Sequence, residues 1–376
     1  MKIYGKNVLL PEGFMRDGVV TIENGTVTGI AKGSDGDLHC EYVVPGLVDQ
    51  HIHGGYGVDV TDADVPSLLS WLDFLFKNGD THILFGLSTH SPDAMRGALQ
   101  TCREIMAMQK DGARGARVDG VHLEGPFINP SVPGAMRADA VLEPTIENYQ
   151  RIAEGYEDIV RLVTLAPEVR GAGELIRYLV ARGVKVEAGH TAANSEEALE
   201  AFENGIDGIT HFFNASTPIR HREPGILAEA LVNEDIYCEV IGDFVHLHPT
   251  SVKLIATCKL PDRMILISDA VSTAGLPDGE YGDGADAVVV RGGVARTKKG
   301  ALAGGASVLI EQVRNMIRLG MAPEHAFRAA STNPARYLNI SGGNIFIGGE
   351  ADLLCLDGEL KPMATILGEK RICGHG

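Results

Sequence analysis

No stretch of this 376-residue sequence is long and apolar enough to span a bilayer. The opening MKIYGKNVLL has neither the apolar region nor the cleavage site of a secretory signal, so a cytoplasmic protein is the expectation. Cysteines are few and scattered. Cys40, Cys102, Cys238, Cys258, Cys355 and Cys373 form no CxxC and read as buried apolar residues in a reducing compartment. Basic residues are outnumbered: 33 Lys and Arg stand against 50 Asp and Glu, a net charge of −17. That balance argues against nucleic acid or an anionic membrane as partner. An anionic small molecule would need Arg and His gathered locally to overcome the global field. No GxGxxG opens a helix after the first strand-like run, which weakens an open doubly wound sheet as the fold.

What is present alternates. Eight apolar, strand-like runs begin at Val43, Thr81, Val118, Ile159, Lys185, Gly208, Ile236 and Met264. Helical patterns lie between most of them, at 64–78, 92–110, 145–155, 171–182, 195–204 and 249–259, with two more at 306–319 and 323–331. Eight β/α repeats point to a (β/α)8 TIM-like barrel over 43–336. Residues 1–42 and 337–376 show short strands and turns instead, including Asn24-Gly25 between two alternating runs, a strong hairpin signal. They suggest a small β-sandwich domain built from both termini.

Polar residues arrive where the apolar runs end. VVPGLVDQHIHG places His51 and His53 on one face of the first strand, with Asp49 one step earlier on that face. Glu124 ends the third run, His190 the fifth, Asn214 the sixth after His211, and Asp269 the eighth; His246 lies in the loop after the seventh. In a (β/α)8 barrel these ends form one mouth. Glu124, His190 and His211 make a carboxylate and two imidazoles, a common set for a catalytic zinc with an open position. His51 and His53 suit a second ion. The fourth run, DIVRLVTLAPE, has no lysine to carry a bridging carbamate, so Glu124 takes any bridging role. Asp269 is the candidate proton carrier; a helix cap is the alternative. His122 and Asp49 read as support behind the ligands, and His90, His221 and His248 as structural. Asn214, Ala215 and Arg222 suit a phosphate. Leu302, Ala303 and Gly304 form a Gly-rich loop that either lets backbone approach a ligand or is simply flexible.

VVPGLVDQHIHGG, HLEGPFINP, TLAPE, EAGHT, THFFNAS, HREPG, ISDAVSTAGLPDGEY and LAGG together resemble the N-acetylglucosamine-6-phosphate deacetylases of the amidohydrolase superfamily. The likeness runs over nearly the whole chain. It implies a homodimer that hydrolyses N-acetyl-D-glucosamine 6-phosphate to glucosamine 6-phosphate and acetate with one or two divalent ions, zinc foremost. It implies Glu124, His190 and His211 as metal ligands, with His51 and His53 for a second ion. It makes Asp269 the acid/base and His246 the group that polarises the amide carbonyl. Asn214, Ala215 and Arg222 would face the phosphate, with Arg222 reaching across the dimer, and Ala135 and Leu302 to Gly304 would line the sugar. One departure stands out. After GPFINP the family commonly has a His or Gln that contacts the sugar, where this chain reads PGAMR, with Met136. The galactosamine epimer, or another N-acyl amino sugar, is therefore the alternative substrate. A catalytically silent homologue is the alternative of another class.

Overall fold

The computed structural model describes residues 1–112, 114–282, 287–369 and the backbone of 371–374. Eight parallel strands form the central sheet: Leu47–Ile52, Asp80–Leu87, Arg117–Glu124, Val160–Leu165, Lys185–Ala188, Gly208–Ile209, Tyr237–Ile241 and Met264–Ile267. They pair in chain order, as right-handed β/α crossovers require. The first and last strands meet through single bonds. Asp269 donates its N–H to His51 O at 2.9 Å, and His53 donates to Ala270 O at 2.8 Å. The buried Asp49 carboxylate fastens the same seam, accepting the N–H groups of His51 (3.2 Å) and Ser268 (3.3 Å). That is the supporting role expected of it.

A helix follows each strand: Val65–Lys77, Pro92–Lys110, Ile146–Ala153, Ala172–Val180, Ser195–Glu203, Gly225–Val232, Pro249–Lys259 and Leu309–Arg318. Their starts are written locally. Asp64, Ser91 and Thr145 accept N–H bonds as N-caps, and Asn194 and Glu197 form a capping box. The sixth helix, GILAEALV, escapes the sequence reading because it is short and apolar but for Glu229, so it carries little periodic signal. A three-stranded antiparallel sheet (Gly279–Tyr281, Val288–Arg291, Val294–Thr297) between the eighth strand and its helix also goes unread. Among the described residues no helix is long and apolar enough to cross a membrane.

Both termini build a second, seven-stranded sheet in the order Arg371–Gly374, Pro362–Leu367, Asp352–Leu356, Leu38–Pro45, Lys2–Leu10, Gly13–Glu23, Thr26–Lys32. Asn24 (φ 50°) and Gly25 (φ 69°) make its predicted hairpin turn, both left-handed as a type I′ turn demands. The run from Val43 is not one strand, however. Val43 to Pro45 finish the terminal sheet, and Gly46 carries the chain across to the barrel. A Cβ on Gly46 would collide with Asp352 and Thr81. Of the cysteines, Cys258 is exposed, while Cys40, Cys102, Cys238 and Cys355 are buried; the side chain of Cys373 lies outside the described residues.

The foot of the barrel carries a buried ion pair between the two sheets. His82 Nδ1 lies 2.6 Å from Asp119 Oδ2, and its Nε2 lies 3.6 Å from Asp352 in the terminal sheet. Burial opposes the charged imidazole, but the charges of Asp119 and Asp352 outweigh burial and nearby Arg117, so the His82 pKa is raised. A raised folded-state pKa gives stability that is complete below the unfolded value, roughly 6.5, and is lost as pH rises through the folded one. His82→Gln is expected to cost roughly 3–5 kcal/mol at pH 6, and progressively less above it. Urea unfolding of both proteins between pH 6 and 9 checks this; a difference independent of pH would contradict it.

Candidate active site

The strand ends deliver their polar residues to one point. Glu124 lies at its centre: Oε1 is 2.9 Å from His211 Nε2 and 3.2 Å from His190 Nε2, and Oε2 is 3.1 Å from His53 Nε2. Asp269 Oδ1 lies 3.4 Å from His53 Nε2 and 3.5 Å from His51 Nε2. Two buried trios result, His51–His53–Asp269 and Glu124–His190–His211, each with donor atoms within 4.8 Å of one another. Glu124 faces both. Asp269, expected as a proton carrier alone, also sits among the potential ligands.

The residues fit a divalent cation. His51 Nε2 and His53 Nε2 face each other at 3.1 Å, as do His190 Nε2 and His211 Nε2. Three of the four outer nitrogens are engaged elsewhere: His51 Nδ1 with Glu239 Oε2 (2.9 Å), His53 Nδ1 with Gly86 O (3.0 Å), His190 Nδ1 with Val132 O (3.3 Å); His211 Nδ1 is buried without a hydrogen-bond partner among the described residues. Donation to those acceptors leaves the Nε2 lone pairs pointing inward, the tautomer a metal ligand needs. The electrostatics agree. Burial opposes charge on His53, yet bonds to Asp269 and Glu124 carry its pKa up to about 10. Burial pushes Glu124 up, but His51, His190 and His211 hold it well below its ordinary range. Asp269 is likewise lowered, by His53 and His51 against burial. The pocket favours positive charge.

Backbone strain marks the same residues. His190 (φ 49°), His211 (φ 29°), Asp269 (φ 47°) and Ala215 (φ 44°) adopt left-handed conformations that L-residues avoid. Around the trios, Gly134 stands so close that a Cβ there would lie 3.2 Å from His190 Cε1 and 3.4 Å from Ala215 Cβ. The loop bearing exposed Ala135 and half-buried Met136 therefore meets the site. The loop of Leu302, Ala303 and Gly304 meets it from the other side. A Cβ on Gly304 would lie 2.8 Å from Asp269 O, and Gly305 donates to that same oxygen. Asn214 caps its own turn, donating to His211 O at 3.1 Å. His246 is half-buried with its side chain 5% exposed, and its Nδ1 lies 2.8 Å from Asp243 Oδ2. Arg222 is exposed before the sixth helix and makes no ion pair among the described residues.

The histidines expected to be structural behave so where contacts define them. His122 Nε2 bonds Thr164 Oγ1 at 2.8 Å, and burial with the charge of His51 keeps its pKa well below normal, so it is neutral. His248 caps the helix Pro249–Lys259. Four polar residues were missed. Asp243 orients His246. Gln50, Glu187 and Glu239 lie within the barrel. Simple alternation puts Gln50 opposite His51, but the strand shifts register between Asp49 and Ile52, and both side chains reach the interior. The available signal was a lone glutamate inside an apolar run, in KVEAG and YCEVIG.

The amidohydrolase family pattern matches residues 42–372. The chain is 34% identical over 364 residues to the N-acetylgalactosamine-6-phosphate deacetylase of Escherichia coli O157:H7, covering 94% of each chain. It is 31% identical to the N-acetylglucosamine-6-phosphate deacetylase of Bacillus subtilis (strain 168), covering 94% of this chain and 92% of that one. A mutant N-acetyl-D-glucosamine-6-phosphate deacetylase from Mycobacterium smegmatis, solved with N-acetyl-D-glucosamine 6-phosphate, superposes with a TM-score of 0.90 at 30% identity over 98% of both chains. With its barrel, its terminal sheet and its two trios, the chain belongs to the N-acetylglucosamine-6-phosphate deacetylase family of the amidohydrolases.

Proposed function

We propose that this protein removes the acetyl group of N-acetyl-D-glucosamine 6-phosphate, using zinc held by Glu124, His190 and His211, with His51 and His53 taking a second ion. The observation that carries the reading is Glu124, whose two oxygens face both trios. Divalent metal supplies an acidified water and a polarised carbonyl when bound. The protein's own groups do the rest. Asp269 takes the proton of the attacking water and returns it to the departing amine. His246, oriented by Asp243, donates to the acetyl oxygen. Ala135 and the loop of Leu302, Ala303 and Gly304 enclose the sugar; Asn214, Ala215 and Arg222 take the phosphate. We assign the working form as a homodimer, supported by exposed apolar Ile219, three residues before Arg222, and exposed apolar Val245 beside His246 in sequence. Retention of both complete trios favours catalysis over a silent binding role.

The galactosamine epimer is the second reading, favoured by Met136 and by the Escherichia coli relative. A thioether cannot replace a strong hydrogen bond to a sugar hydroxyl. Sites built on such bonds discriminate by about 10⁴-fold or more. Acetate release from both epimers by zinc-loaded protein tests both readings. Turnover of at least one is expected, with kcat/KM values differing by less than about 10²-fold. Met136→His should widen the gap toward the gluco sugar. No acetate from either sugar would refute the deacetylase reading. A native preference already above about 10⁴-fold, unchanged in Met136→His, would show that Met136 does not select the sugar.

A further inference from the structure

Below the trios the barrel interior is polar before it turns apolar. Glu239 stands in the seventh strand between Tyr237 and Ile241, which pack with Leu84, Leu162, Ile265 and Ile267 in the floor. It is 1% exposed. Its Oε2 accepts from His51 Nδ1 at 2.9 Å and from the backbone N–H of His211 at 3.1 Å. Its Oε1 accepts from Gln50 Nε2 at 2.8 Å. The circuit continues from Gln50 to Glu187 (3.1 Å), Thr210 (3.0 Å), Thr164 (2.7 Å) and His122 (2.8 Å). It closes where the His122 ring meets the His51 ring edge-on at 4.5 Å. A buried carboxylate is costly unless its lone pairs are engaged; Glu239 has three donors, and one oxygen serves a member of each trio.

Two independent features give that oxygen a purpose. Accepting the Nδ1 proton of His51 fixes the tautomer whose Nε2 lone pair faces the trios. Holding the His211 N–H pins a backbone at φ 29°, a conformation that persists only where its surroundings over-determine it. We infer that Glu239 is the positioning residue of this centre, a single carboxylate that touches no substrate yet sets the tautomer of His51 and the backbone of His211. This rests on the reading that the trios hold metal.

The test uses the full chain, stripped with chelator and titrated with Zn²⁺. Glu239→Gln keeps shape but loses the charge, and is expected to bind Zn²⁺ about 10–100-fold more weakly. The visible spectrum of its Co²⁺ form should change as well. Glu187→Gln is the control, with the same depth and the same circuit but no contact to either trio. It is expected to hold Zn²⁺ within about threefold of the parent, far short of the loss that follows removal of a ligand's partner. If Glu239→Gln does not fold, Glu239→Asp, which withdraws the oxygen but keeps the charge, carries the same expectation. Parental Zn²⁺ affinity in either variant, equal losses in Glu187→Gln, or failure of both Glu239 variants to fold would overturn the inference. A parent that takes up no Zn²⁺ would instead remove the metal reading, and this inference with it.

Discussion

Alanine at His190 is expected to leave the purified protein without its principal metal and without measurable deacetylation. The reason is arithmetic of donors. On the proposed reading Glu124, His190 and His211 supply three ligands, and removal of one imidazole would leave two, too few to hold a divalent ion against water and buffer. The effect should spread, because Glu124 also faces His53 at 3.1 Å and loses a partner that keeps it ionised. Secondary structure should survive, since the His190 backbone stays bonded through Asn129 N–H to His190 O. Metal analysis beside circular dichroism decides the matter. A folded His190→Ala protein with a full complement of metal and normal turnover would show that the site is elsewhere.

Asp269→Asn should separate chemistry from binding. The amide matches the carboxylate in shape but cannot carry a proton. Loss of roughly 10²–10⁴-fold in kcat is expected from that change alone, with KM little altered. Asp269 also faces His53 and His51, so some second-ion affinity should go with it. Restoring metal to saturation distinguishes the two contributions: the proton-carrying loss persists, and the binding loss does not. Turnover within a few-fold of the parent at saturating metal would exclude the acid/base role.

Five of the six trio residues were legible as candidate ligands because strand chemistry is simple, while Asp269 was read at its strand end as a proton carrier alone. Runs that stay apolar until a His, Glu or Asp arrives declare which end of each strand is the mouth, and His51 and His53 are two apart on one strand. What sequence hid was whatever depended on a departure from regularity. The break at Gly46 needs knowledge of Asp352 and Thr81, which arrive from elsewhere in the chain. The inward turn of Gln50 comes from an irregular register. The helix Gly225–Val232 is short and apolar but for Glu229, so its periodicity is weak. Glu239 reads as an anomaly in an apolar run until His51, 188 residues earlier, is seen to bond it. Arg222 shows the converse: its residue type suggests an anion, while the fold leaves it exposed.

The seam between the first and eighth strands also fixes when in the life of the chain each trio can exist. Asp49 reaches Ser268 across 219 residues, and Asp269 is the last member of its trio to be synthesised. Translation proceeds from the N-terminus. The trio of Glu124, His190 and His211 is complete in sequence once residue 211 has been added, whereas its neighbour waits for residue 269. A nascent or truncated chain ending between those points holds every member of one trio and only the histidines of the other.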